Sequence, residues 1–410
     1  MSRPILRRSA EIGTNEPPRR GGLVTALGLI QIISWGSSYY LPAVLAKPIA
    51  ADTGWSLPWV VGGLSIGLLA GGVVSPPVGR TIDHRGGRLV LSLSSILFGL
   101  GFCALALATS LPAYLAAWLI IGLAMGSGLY DATFATLGRI YGQTARPIIT
   151  IVTLFGGLAS TVCWPLTAYL NAELGWRGAC LVYAGLHLAF CLPLNLCMLP
   201  RGNPAPVWKT DPTAPPPPPE RAPSGGSRTV KLVLLATIFT LNSGLVAVIS
   251  VHLISILQTR GMGLAAAVAV GALLGPSQVA SRLTELVFGR YYHPIWTMVA
   301  GTTLIAAGLM LMLTQAQLAA AALVIYGCGV GLGAITRGTV PLRLFGPIGY
   351  ATLIGRLALP TLLSQALCPS LASFLMVNGN ADMTLTVVAG AALANVVLTL
   401  LLGSTARGPR

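Results

Sequence analysis

Charge is what this 410-residue chain has least of: charged residues make up 9% of it, against roughly a quarter in an ordinary soluble domain. Only 10 residues are acidic, so each acid inside an apolar run is informative. The seven cysteines, Cys103, Cys163, Cys180, Cys191, Cys197, Cys328 and Cys368, lie in or beside apolar runs. They form no CxxC pair and no Cys/His ligand spacing, which argues against a metal site or a disulfide framework. A GxxxxGK[ST] loop is absent, so ATP is not the expected energy source. No Ser/His/Asp set has enzymatic spacing. Neither an enzyme nor a bound cofactor is expected.

Apolar residues are what the chain has instead. They make up 54% of it, and the mean hydropathy is +0.78. That bias over this length indicates a polytopic membrane protein embedded in a lipid bilayer. The net charge of +15 does not indicate nucleic acid, because Arg and Lys are spread over short loops and tails rather than clustered on one face.

Twelve apolar spans are expected, most at or above the ~20 residues that cross a bilayer. The first six are 23–45, 58–79, 89–108, 112–137, 148–170 and 178–199. The second six are 229–257, 264–286, 295–314, 318–340, 348–375 and 383–403. Residues 1–22 form a polar basic tail and not a cleavable signal, because the apolar run that follows is too long and no clear small-residue cleavage site ends it. Residues 200–228, with Pro215 to Pro219 in a row and Ser224–Gly225–Gly226–Ser227, read as a flexible linker. Residues 404–410 form a second tail. With both termini cytoplasmic, the opposite side keeps only Lys47, Arg177 and Arg260, as the positive-inside rule requires.

The chain repeats. Arg80–Arg88 reads RTIDHRGGR and Arg282–Arg290 reads RLTELVFGR. Both fit R-x-x-[DE]-x-x-x-G-R, pairing Arg80, Asp83, Gly87 and Arg88 with Arg282, Glu285, Gly289 and Arg290. Gly122, Gly126, Gly128 and Leu137 match Gly327, Gly331, Gly333 and Leu342 at nearly the same separation. Pro147–Ile148 matches Pro347–Ile348. One six-helix unit is therefore duplicated, and such repeats place a binding site between the halves near the midplane.

Through these residues the whole chain resembles the major facilitator superfamily. Gly79 to Arg88, after Pro76–Pro77, is similar to the family's charged signature between helices two and three. Trp55–Ser56 and Gly175–Trp176–Arg177 resemble the monocarboxylate and oxalate:formate branch. Trp118 stands where drug:proton antiporters carry an arginine, and their Gly-Pro motif in span five is missing. The resemblance implies an all-α fold of two pseudo-symmetric six-helix bundles, with spans one, four, seven and ten around a central cavity. It also implies that Asp83 sits at the N-terminus of span eleven. In such a gate, Gly79, Arg80, Asp83, Arg85, Gly87 and Arg88 would have Arg282, Glu285, Gly289 and Arg290 as counterparts. Arg80, Arg85 and Arg88 would pair with Asp83 or with lipid phosphates.

The sparse ionisable groups locate the chemistry. Asp131 lies well inside span four and reads either as a proton carrier or as a structural partner for an arginine. Arg337 is one position off its equivalent in span ten. Arg356 is eight residues into span eleven. An arginine fork suits a carboxylate, and in the oxalate:formate branch a cation in span eleven holds one, a role the resemblance gives to Arg356. Gln31, Trp35 and Tyr39 share a helical face that could line the cavity, as could Asn242 in span seven.

The expected function is secondary transport of a small organic solute, a carboxylate-type anion, by alternating access, with the proton as candidate coupling ion. An exporter of a drug or hydrophobic metabolite by proton antiport and a non-transporting membrane sensor are the alternatives. The expected setting is a monomer in the bacterial cytoplasmic (inner) membrane.

Overall fold

The computed structural model describes residues 20–201, 225–378 and 381–406, and every regular element among them is helical. The basic segment 1–19, the prolines 215–219 and the residues 407–410 lie outside the described residues. Among the described residues, ten apolar stretches are long enough to cross a bilayer, and the longest, Leu111–Met198, runs 88 residues. That one divides into three crossings, at the tight turn Gly142–Ala145 and at Gly175, giving twelve. Gly175 has φ +69°, a region that costs glycine little.

Four spans are broken, which a hydropathy pattern does not show. Span one is Arg20–Ser37 followed by Leu41–Thr53, longer than 23–45. It breaks at residues 38–40 because Pro42 has no N–H to give to the Ser38 carbonyl. Span four is Leu111–Gly128 and Tyr130–Tyr141, separated by an extended Leu129. Span five starts as Arg146–Gly157 and resumes at Ala159. Span eight is Leu264–Gly271 and Leu274–Phe288. Span two is Leu57–Arg85, so the motif expected as a loop stays helical until Gly86. Span seven, Gly225–Thr259, takes in glycines expected in the linker. In its added turn Arg228 lies over the Phe345 ring at 5.9 Å.

Each half has its own core. Tyr114, Trp118, Phe98 and Phe102 fill the first. Leu309, Leu323 and Tyr326 fill the second. A third cluster joins the halves at one end, with Ile82, Phe134 and Ile149 against Leu342, Tyr350 and Ile354. Spans two and four meet backbone to backbone: a Cβ on Gly122 would lie 2.2 Å from the Gly67 carbonyl oxygen. Small residues permit such approach inside membranes. Spans two and eleven cross in the same way between the halves. A Cβ on Gly79 would lie 2.2 Å from the Ala351 oxygen, and one on Gly355 would lie 2.3 Å from the Ser75 oxygen. The outer surface keeps large apolar side chains such as Val73, Leu100, Leu371 and Phe374 exposed, as lipid contact requires.

Candidate functional site

Asp131 and Arg337 meet at the centre of the bundle. Arg337 donates from Nε and Nη2 to the two carboxylate oxygens, each at 2.7 Å. The side chains are 15% and 18% exposed. The local fold explains the placement of Asp131. The break at Leu129 starts a new helix at Tyr130, so Asp131 falls in its first turn, where the helix dipole favours a carboxylate. Arg337 comes from the unbroken span ten, Ala319–Phe345. The pair therefore ties one half to the other. It lines a void of about 20 Å³ with Trp35, Tyr130, Leu362 and Gln365. That is room for about one water.

Gln31, Trp35 and Tyr39 do not act as one cavity face. Gln31 is fully buried and does not line the void. Its Nε2 donates to the Gly128 carbonyl at 2.8 Å and to Thr133 Oγ1 at 2.9 Å. Its Oε1 accepts from Trp35 Nε1 at 3.1 Å. The break in span four frees the Gly128 carbonyl, and Gln31 satisfies it. Gln31→Leu is expected to lower stability by about 1–3 kcal/mol by orphaning buried groups. A thermal melt of the detergent-solubilised protein measures this, and an unchanged midpoint contradicts it. Trp35 does reach the cavity, and Tyr39 packs edge-on against it at 5.4 Å.

Asn242 lies beside Gly333, one turn before Arg337, and its buried Oδ1 has no partner among the described residues. Arg356 is not brought to the cavity. It is exposed and shares a helical direction with Leu367 and Phe374, about three and five turns on, which are 51% and 68% exposed. Leu362 and Gln365, by contrast, line the void. Depth in span eleven was readable from the sequence, but the face was not, and the face points out of the bundle.

The motif residues form a clasp at one end. The Asp83 carboxylate accepts from the backbone N–H of Ala351 at 3.3 Å and of Thr352 at 2.7 Å, and from the Thr352 hydroxyl. These are first-turn groups of span eleven, Tyr350–Asn378. Arg139 donates to the Asp83 carbonyl at 3.1 Å. Gly87 packs on Thr136. Arg80 and Arg85 are exposed, and Arg88 donates to the Leu196 carbonyl at 2.7 Å within its own half.

The second copy of the motif is built differently. Glu285, with a side chain 1% exposed, accepts from Arg146 at 2.7 Å, Thr297 at 2.9 Å and Tyr292 at 2.6 Å. It binds the side chain at the start of span five rather than backbone N–H groups. Arg146, Thr297 and Tyr292 are thus functional candidates that sequence reasoning missed. Only the lone arginine before Pro147 hinted at them. Gly289 packs against the Glu285 carboxylate. Arg282 is buried and donates across the halves to the Thr153 carbonyl at 2.6 Å. Arg290 stays at the surface over Tyr291. At the opposite end the ion pairs Asp52–Arg177 and Asp382–Arg260 each stay within one half. Trp176 also donates to Asp52, at 2.9 Å.

The comparisons with known proteins agree with this geometry. The profile of the Major Facilitator Superfamily matches residues 27–352. Monocarboxylate transporter 6 of Mus musculus is 31% identical over 174 residues, 42% of this chain and 35% of that protein. The transcription regulatory protein OpdE of Pseudomonas aeruginosa is 29% identical over 181 residues, 42% of this chain and 44% of that protein. The chain thus spans less than half the length of these curated relatives. Among solved structures, the human organic anion transporter MFSD10 (TETRAN) superposes with TM-score 0.72 at 18% identity, over 93% of this chain and 100% of that one. The proton:xylose symporter XylE gives 0.71 at 10% identity, over 93% and 95%. Matched over most of its length and folded, among the described residues, as twelve spans in two halves, the chain belongs to the major facilitator superfamily and is a multi-pass membrane protein.

Proposed function

We propose that this transporter moves a small carboxylate-type anion by alternating access, with Asp131 taking up and releasing a proton. The observation that carries the reading is the bidentate Arg337–Asp131 pair between the halves. The Arg337 fork is matched to a carboxylate, and in this conformation Asp131 fills it. A solute carboxylate must compete with Asp131 for the same donors. Protonating Asp131 removes its charge and frees the fork, so proton and anion load together and travel in the same direction. The similarity to monocarboxylate transporter 6 supports the substrate class.

The alternating element is the clasp. Asp83 on the span-eleven N-terminus and Glu285 on Arg146 hold one end shut, while the opposite end has its ion pairs inside the halves. The positive-inside count supports a cytoplasmic side for the clasped end, both termini and the linker. The conformer then opens away from the cytoplasm. We take a monomer in a bacterial cytoplasmic membrane as the working unit.

The test is flux into proteoliposomes with an acid exterior, offering carboxylates and amines. Arg337→Gln is expected to abolish carboxylate uptake, because a carboxamide cannot form the charged fork pair. Uptake of an amine, or carboxylate uptake that survives Arg337→Gln, sinks the reading. A proton:cation antiporter would instead expel a preloaded amine under the same gradient.

A further inference from the structure

Span five carries a second concavity, on the far side of Tyr40 from the ion pair. It is a groove of about 490 Å³ against the outer part of span one, lined by Val44, Ser160, Thr161, Trp164 and Pro165. Trp164 is 45% exposed there. From the groove a run of rings leads inward. Trp164 meets Tyr40 edge-on at 6.0 Å, Tyr40 lies 6.4 Å from Trp35, and Trp35 lies 5.0 Å from Tyr130. Trp35 and Tyr130 line the void at Asp131 and Arg337. The void itself has room for about one water. A solute body therefore has no space at the pair in this conformer, but it has space in the groove.

We infer that the groove and the ring wall form an entry subsite selecting carboxylates with an aryl body. This rests on the proposed anion transport and names its substrate class. A short, wholly polar anion gains nothing from an apolar groove. An aryl body gains offset or edge contacts with Trp164 and then with Tyr40 and Trp35, while its carboxylate travels toward the Arg337 fork. The run of rings is longer than one small solute, so the groove acts as a first station and the ion pair as the second. Trp164 is a specificity residue, and Tyr40 passes the body on to Trp35.

The experiment compares 3-phenylpropionate with propionate, which share a headgroup, in counterflow into proteoliposomes. The expected result is a KM for 3-phenylpropionate about tenfold or more below that for propionate, the scale of one or two aromatic contacts. Trp164→Ala should remove most of that ratio while leaving propionate unchanged, and Trp164→Phe should keep it. Thr161→Trp, which fills the groove from an exposed position, should block 3-phenylpropionate alone. Equal KM values in the parent protein, or variants that change both solutes alike, overturn the aryl subsite while leaving anion transport standing. If neither carboxylate moves in the parent protein, the anion reading itself fails, and the subsite with it.

Discussion

Asp131→Asn is expected to abolish accumulation driven by a pH gradient while exchange of solute between loaded compartments continues. The substitution keeps the size of the side chain and one acceptor for Arg337. It removes the charge and the titration. Exchange needs only loading, reorientation and unloading, with no net proton movement. Accumulation needs the proton to ride with the anion. With one proton per anion, each unit of pH gradient sustains about a tenfold solute ratio, since one unit is ~1.4 kcal/mol. The variant should bring that ratio to one. Radiolabelled uptake under an imposed gradient, paired with counterflow on the same vesicles, reads both quantities. Parent-level accumulation in the variant would remove Asp131 from the mechanism. Loss of counterflow as well would make Asp131 a structural partner of Arg337 only.

Asp83→Asn should slow turnover by tenfold or more and leave solute affinity nearly intact. Asp83 touches no part of the central void. Its carboxylate instead accepts two backbone N–H groups at the start of span eleven. A charged acceptor at a helix N-terminus contributes roughly 0.3–2 kcal/mol through the dipole, and charge-assisted hydrogen bonds are about twice as strong as neutral ones. The neutral amide keeps one acceptor oxygen and presents an N–H₂ group where the second oxygen was. The clasped conformer then loses about one or two bonds' worth of free energy, enough to shift its population by about an order of magnitude. Initial rates at saturating solute, set against KM from the same counterflow series, separate the two effects. A large affinity loss at normal turnover would refute a gating role.

The spans were legible because lipid imposes a simple rule: about twenty apolar residues per crossing. Their breaks were not. The break at Leu129 depends on Gln31, nearly a hundred residues earlier, accepting the job of satisfying the Gly128 carbonyl. No local pattern announces that. Asp131 and Arg337 were legible as rare charges deep in spans, and their proximity followed from the repeat. Arg356 shows the limit of the same reasoning. Its depth was countable, but the outer faces of this protein are apolar, so the usual sign of an outward face, polarity, is reversed. Glu285 matched Asp83 in sequence spacing and still found a different partner, because an arginine stands at the start of span five where span eleven offers backbone N–H groups.

The crossing of spans two and eleven has a consequence for how quickly the halves can part. At Gly79 and Gly355 nothing but main chain stands between the helices. Interfaces of long side chains must reselect rotamers each time they close, and each such side chain carries an entropic cost of order 0.5–2 kcal/mol. A joint of bare peptide groups has no rotamers to choose. It works as a dry bearing: the stops lie in the charged clasp beside it, and the sliding surface adds little friction of its own.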